Sequence, residues 1–307
     1  MTQLFGRIAL IGIGLIGSSL SHVIRREKLA GHISVHARSA ATRQKVTELG
    51  LADSMHDTAA GAVRDADLVI LCAPVGAYCD IAREIGPHLK AGAIVSDVGS
   101  VKAAVVRDVG PFMPDNVHFI PGHPVAGTEQ SGPESGFAEL FANRWCLLTP
   151  MPGADPAAVA TLERFWQACG SNVEFMTAEH HDLVLAITSH LPHLIAYNMV
   201  ATAYDMEAVT EGEVVKFSAA GFRDFTRIAA SDPTMWRDVF LNNKEAVLEV
   251  LGRFEEDLTA LRKAIRNADG QKLFDVFTES RRIRREIIDA GQDTAAANFG
   301  RDKGEKP

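Results

Sequence analysis

The sequence predicts an α/β protein: an N-terminal doubly wound parallel-sheet domain followed by an all-helical domain. Three observations carry this. Short continuous apolar runs alternate with helical patterns through the first half, as in a sheet covered on both faces. A glycine-rich turn directly follows the first run and opens a helix. Beyond residue 176 no strand pattern remains, and apolar residues recur at spacings of three and four.

Residues 7–12 (RIALIG) read as the first strand, ending in glycine, and residues 18–28 as a helix. Residues 32–37 are a second strand and 40–49 a helix. Residues 67–72 (DLVILC) form an apolar strand closed by Ala73-Pro74, with residues 75–85 helical until Pro87 and Gly92 end the stretch. Residues 93–97 (AIVSD) are another strand, followed by a helix from Ser100; residues 118–121, 145–149 and 173–176 read as further strands. From 178 to 290 the pattern is helical, with Leu248, Leu251, Phe254, Leu258, Leu261 and Ile265 on one face of a long helix. The basic run at residues 281–285 reads as a solvated or dimer-rim face. The expected division is a dinucleotide-binding domain over 1–177, a helical substrate and dimerisation domain over 178–291, and a disordered polar tail over 292–307.

Composition narrows the function. The 307 residues carry 47% hydrophobic residues and a formal net charge of -8, which disfavours nucleic acid and anionic membranes as partners. The four cysteines form no CxxC pair and read as reduced thiols. No signal peptide is expected, and no apolar run is expected to reach the roughly 20 residues of a membrane span. The expected location is the cytoplasm.

The glycine loop reads as a Rossmann-type cofactor site. Gly12 permits the tight turn, Gly14 lets backbone approach a pyrophosphate, and Gly17 lets helix and strand pack closely, with Leu15 and Ile16 between them. The helix N-terminus offers free N–H groups to phosphate. At the end of the second strand, where an NAD site usually places an acid, the chain reads His36-Ala37-Arg38-Ser39. Arg38 and Ser39 are suited to a 2′-phosphate, which leans towards NADP; Arg38 stacked on adenine would leave NAD acceptable. Cys72, Ala73 and Pro74 are placed to line the nicotinamide half.

Two polar loops at strand ends should converge there: Asp97-Val98-Gly99-Ser100-Val101-Lys102, and the loop from Gly122 to Glu129. His123, beside Pro124 and between glycines, is expected on a stiff loop outside the core, in a catalytic role. His190 and His193 are three apart and share a helical face. No further ligands accompany them, so no metal is expected; anion or hydroxyl contacts and plain packing are the readings. Arg227 lies among apolar neighbours and needs a partner: a substrate carboxylate, or Asp224.

In one order the chain carries G-I-G-L-I-G-S-S-L, D-V-G-S-V-K, G-H-P-V-A-G-T-E, S-H-L-P-H and D-F-T-R-I-A-A-S-D-P-T-M-W. Together these resemble the prephenate/arogenate (cyclohexadienyl) dehydrogenase family, over about residues 5–290. The resemblance implies oxidative decarboxylation of prephenate or arogenate with hydride transfer to NAD or NADP, in tyrosine biosynthesis. It implies His123 as the catalytic histidine and Ser100 as its hydrogen-bonding partner. It implies Arg227 on the substrate carboxylate, His190 and His193 lining the pocket, Glu129 at its edge, Trp236 closing it, and a homodimer through the helical domain. Two departures stand out. Many NAD-using members carry an acid where this chain has Ala37. The chain also leaves no room for an appended regulatory module or fused mutase, so any tyrosine inhibition is expected to be competition at the active site.

Two other readings compete. A β-hydroxyacid dehydrogenase shares this architecture but usually employs a lysine in the helical domain, and between Lys102 and Lys263 only Lys216 and Lys244 occur. A non-catalytic dinucleotide-binding dimer would need the glycine loop but not His123, Arg227 and the paired histidines together.

Overall fold

The computed structural model describes residues 3–207 and 213–289. Strands β1 (Phe5–Ile11), β2 (Ala30–His36), β3 (Ser54–His56), β4 (Leu68–Leu71), β5 (Ile94–Asp97) and β6 (His118–Phe119) form a parallel sheet in the order β3-β2-β1-β4-β5-β6. Helices α1 (Leu15–Glu27), α2 (Ala40–Glu48), α3 (Ala59–Val63), α4 (Tyr78–Ile85) and α5 (Ala103–Val109) connect the strands. Alternate residues of each strand feed two cores: Ile8, Leu10 and Ile70 on one face, Ala9, Ile11, Val69 and Leu71 on the other. The pairing Ile11↔Leu71 and Leu71↔Asp97 aligns three strand ends on one edge. There the strand order reverses between β1 and β4, which opens a crevice. The short polar strand β3 has no apolar run to betray it in the sequence.

Residues 145–149 and 173–176, expected as further strands, form a separate sheet. In it β7 (Gly122–Pro124) runs antiparallel to β8 (Trp145–Leu148), and β9 (Asn172–Phe175) runs parallel to β8, joined through α6 (Pro156–Ala168). Pro121 has no N–H to extend β6, and the chain leaves the main sheet there. A fully buried ion pair ties the two sheets. Lys102 Nζ donates to Asp97 Oδ2 at 2.5 Å and to the Gly122 carbonyl at 2.7 Å. Asp97 in turn accepts from the Gly99 and Gly122 amides.

The helical region comprises α7 (Ala178–Leu185), a π-helical turn (Ala186–His190), α8 (Leu191–Glu207), α9 (Glu213–Lys216), α10 (Ala220–Thr226), a 3-10 turn (Arg227–Ala230), α11 (Pro233–Asn242), α12 (Lys244–Arg266) and α13 (Gly270–Asp289). The chain divides into two compact units after Leu248. In the first, Asp182 of α7 accepts the Lys102 and Ala103 amides at the start of α5, and Trp236 and Val239 of α11 share a core with Val75, Tyr78 and Val101. In the second, Leu258, Ile265, Phe274, Phe277, Ile283 and Ile287 are exposed. The basic run 281–285 lies on the exposed surface of α13, where Arg282 pairs with Glu279 and Glu286. The tail expected over 292–307 lies outside the described residues.

One expectation is corrected. The helical run Ala178–Met206 is long and apolar enough to cross a membrane, with a mean hydropathy of 1.3 over an 18-residue stretch within it. That stretch begins beyond Asp182, and its Leu, Ile, Val, Ala and Met outweigh His190 and His193 on average.

Lys102→Met leaves Asp97 buried without its cation and the Gly122 carbonyl without its donor. The expected loss is about 3–5 kcal/mol in urea unfolding, with part recovered by Asp97→Asn in the same chain.

Candidate active site

The glycine loop sits at the crevice. Gly12 adopts φ 100°, and a Cβ there would meet the Cys72 and Ala73 backbone at 2.7 Å. A Cβ on Gly17 would meet the Gly12 carbonyl at 2.6 Å, so helix and strand pack at backbone contact. Gly14 caps α1 with no side-chain hydrogen bond, and a Cβ there would meet nothing within 4 Å. Open space therefore faces uncapped amides of a helix N-terminus, the arrangement a pyrophosphate requires. Leu15 and Ile16 pack their side chains on the core and leave their backbone to this turn.

At the end of β2, Ala37 is buried and Arg38 exposed. Arg43 holds the loop by donating to the carbonyls of Ala37 and Arg38 at 2.8 and 2.9 Å. The Ser39 hydroxyl accepts the Thr42 amide at 3.0 Å as the cap of α2, so part of its capacity is already used. Beyond β4, Cys72 and Ala73 are half-buried and Pro74 exposed. Burial pushes the Cys72 thiol up and keeps it protonated.

His123 differs from its expected setting. It lies buried on β7, opposite Leu147, and not on an open loop. Only three residues pair there, and the partner strand lies far along the chain. Its Nδ1 lies 2.9 Å from His181 Nε2, and His181 Nδ1 lies 2.8 Å from Asp182 Oδ1. His123 Nε2 makes no hydrogen bond among the described residues. Burial, with help from His181 and the Lys102 charge, pushes His123 well below the ordinary histidine range, and burial pushes His181 down to about 2. Both rings are neutral at neutral pH. Burial pushes Asp182 up, opposed by the Lys102 and Ala103 amides.

Ser100 was expected to hydrogen-bond His123; the partner of His123 is His181. Ser100 precedes α5, and its backbone favours the charged form of the His190 ring. His190 is fully buried, with Nδ1 3.1 Å from Asn243 Nδ2 and Nε2 unpartnered; burial pushes it down to about 4. Asn243 also donates to the Asp182 carbonyl at 2.8 Å. His193 stacks on Trp236 with ring centroids 3.6 Å apart, while His190 meets the same indole edge-on at 6.0 Å. The Trp236 indole nitrogen is buried without a partner. Arg227 also resolves differently from the sequence. Its NH1 lies 2.8 Å from Glu129 Oε2, whereas Asp224 sits 3.8 Å from Arg223. Burial pushes His193 down, with a smaller contribution from the Arg227 charge. Among the described residues no cluster of His, Cys, Asp or Glu suits a metal ion.

The sequence reading missed His181, Asp182 and Asn243, and assigned Lys102 no role. The adjacent His181-Asp182 in an apolar helix was the one available signal.

Residues 20–175 match the prephenate dehydrogenase nucleotide-binding domain, and residues 177–279 match the prephenate dehydrogenase dimerization domain. A cyclohexadienyl dehydrogenase of Zymomonas mobilis is 41% identical over 91% of this chain and 95% of its own. A prephenate dehydrogenase of Bacillus subtilis is 31% identical over 92% of this chain and 76% of its own. Among solved structures, prephenate dehydrogenase from Aquifex aeolicus in complex with hydroxyphenyl propionate and NAD+ superposes with a TM-score of 0.85 at 34% identity. That match covers 94% of this chain and 99% of the other.

The buried neutral histidines make stability depend on pH. Unfolding restores each to an ordinary pKa near 6.5, so the unfolded chain binds more protons below that value. Stability is then lost as pH falls from about 6.5, by about 1.4 kcal/mol per pH unit for each histidine still neutral in the fold. For His190 the loss ends near pH 4. Denaturation between pH 7 and 5 should show this slope, and His190→Gln should flatten it.

Proposed function

The chain belongs to the prephenate dehydrogenase family, and from that premise we propose the residues and specificities by which it oxidises and decarboxylates its cyclohexadiene substrate on the route to tyrosine. The substrate carries a 4-hydroxyl and a ring carboxylate. Gly12, Gly14 and Gly17 hold the pyrophosphate of NAD(P), with the α1 amides as donors, and Cys72, Ala73 and Pro74 flank the nicotinamide. Bound nicotinamide supplies the hydride acceptor.

The observation that carries the reading is His123: neutral, walled in, with a free Nε2. It accepts the 4-hydroxyl proton as general base. Arg227 has N–H donors beyond the one given to Glu129 and binds a substrate carboxylate. His190, His193 and Trp236 form the wall against which the ring lies, with Ser100 beside His190. Loss of CO2 aromatises the ring, so the protein's contribution is positioning and proton acceptance.

The finer specificities follow from the same contacts. The ring, its hydroxyl and its carboxylate are common to prephenate and arogenate. The two acids that were candidates for the arogenate ammonium each face an arginine, Glu129 with Arg227 and Asp224 with Arg223. The site accordingly takes both substrates. Ala37 in place of an acid and the exposed Arg38 favour NADP over NAD. The functional boundary lies near residue 177, with the helical part forming a homodimer through its exposed apolar residues. The enzyme works in the cytoplasm: the apolar run Ala178–Met206 carries His181, Asp182 and His190 into hydrogen-bonded burial, a poor fit to lipid.

Initial rates with prephenate or arogenate and NAD or NADP test the reading together. Turnover with both substrates, faster with NADP, is expected; silence in all four from folded protein that binds cofactor overturns it. His123→Asn should lower kcat by about 10²–10⁴, with Arg227→Ala acting chiefly on KM. The acid limb of kcat should lie below pH 6.5, since the base is lost only as pH falls through its lowered pKa.

A further inference from the structure

We propose that His181 and Asp182 are positioning residues for His123: they fix the direction of a hydrogen-bond chain that keeps the His123 proton on Nδ1 and leaves Nε2 bare. The inference rests on the reading of His123 as the proton acceptor.

The direction is set at Asp182. Its Oδ1 accepts the Lys102 amide at 2.7 Å and its Oδ2 accepts the Ala103 amide at 2.9 Å. A backbone amide can only donate, and the two amides together with the Lys102 charge favour the ionised carboxylate against burial, so both oxygens are acceptors. His181 Nδ1, 2.8 Å from Oδ1, must therefore be the protonated nitrogen of its ring. A neutral imidazole carries one N–H, which leaves His181 Nε2 as a lone pair. That lone pair lies 2.9 Å from His123 Nδ1, so His123 donates there and carries no proton on Nε2.

The opposite direction would set the His181 Nδ1 lone pair against a carboxylate oxygen. His181 is fully buried, with no water to relieve two facing acceptors. The burial that keeps His181 neutral also ensures that it carries only one ring proton. Without this chain, the His123 proton is free to sit on Nε2, where it would donate to the substrate hydroxyl and could not accept from it. In the productive state the hydroxyl O–H breaks and an N–H forms at His123 Nε2. His181 keeps its single proton on Nδ1, Asp182 stays a carboxylate, and the resulting His123 imidazolium still donates through Nδ1.

The test uses full-length His181→Leu and His181→Gln. Leucine removes the acceptor, whereas the glutamine amide oxygen restores one. Asp182 is left intact because it also holds the backbone at the start of α5. Nitrogen NMR of histidine-labelled wild-type protein reads the His123 tautomer directly, and the expected state is protonated Nδ1 and bare Nε2. His181→Leu should lower kcat about 10–100-fold, the usual effect of removing a residue that orients a functional histidine, with KM nearly unchanged and the tautomers mixed. His181→Gln should recover most of the rate and the single tautomer. A wild-type His123 protonated on Nε2 overturns the proposal, and that measurement stands even where the leucine variant fails to fold. Unchanged kcat in His181→Leu overturns it too, while a damaged His123→Asn would leave the base assignment standing. Full activity in His123→Asn would instead overturn the base assignment itself.

Discussion

The site depends on one buried ion pair. Lys102 and Asp97 are wholly withdrawn from water, and neither charge would be tolerated there alone. Asp97 ends β5, and Gly122, whose amide and carbonyl both bind this pair, begins β7. The pair therefore fixes where β7 leaves the main sheet, and with it where His123 stands. Lys102 also starts α5, whose first amides receive Asp182. The same few atoms thus hold the strand that carries His123, the carboxylate of Asp182, and the start of the helix on which α7 docks.

That geometry has an electrostatic counterpart. The Lys102 charge opposes protonation of both His123 and His181, adding to the effect of burial. Asp97 and Asp182 moderate this, since a lone buried cation would cost far more than the site could bear. The outcome is a buried His123 ring that is uncharged at neutral pH. Arg227, by contrast, is half-exposed and pairs with Glu129.

The parts legible in the sequence were those whose cause is local. The glycine loop could be read because each glycine's role follows from its neighbours, and the buried strands because their apolar runs are continuous. What escaped is set by partners distant along the chain. His181 gains its role from His123, 58 positions away, and Arg227 pairs with Glu129, 98 positions away, where Asp224 was the nearer guess. β7 has three residues and no pattern of its own until β8 lies beside it. The capping of α2 by Ser39 adds a local role that its suitability for a 2′-phosphate did not reveal.

The π-helical turn at Ala186–His190 sits between the two functional ends of the long helical run. There the Leu191 amide reaches back five residues to the Ala186 carbonyl. Pro192, with no N–H and a ring that crowds the preceding turn, accounts for the widening. The turn works as a phase shifter. It lets α7 bring His181, backed by Asp182, to His123 while α8 presents His193 to Trp236. Each residue advances an α-helix by roughly 100°. Removing one residue from the turn would leave α7 in place and rotate the whole of α8, carrying His193 off the indole face. The His193–Trp236 stack and the His123–His181 pair are therefore indexed to each other by a single extra residue, and drift in the length of that turn would uncouple them even with every one of these side chains retained.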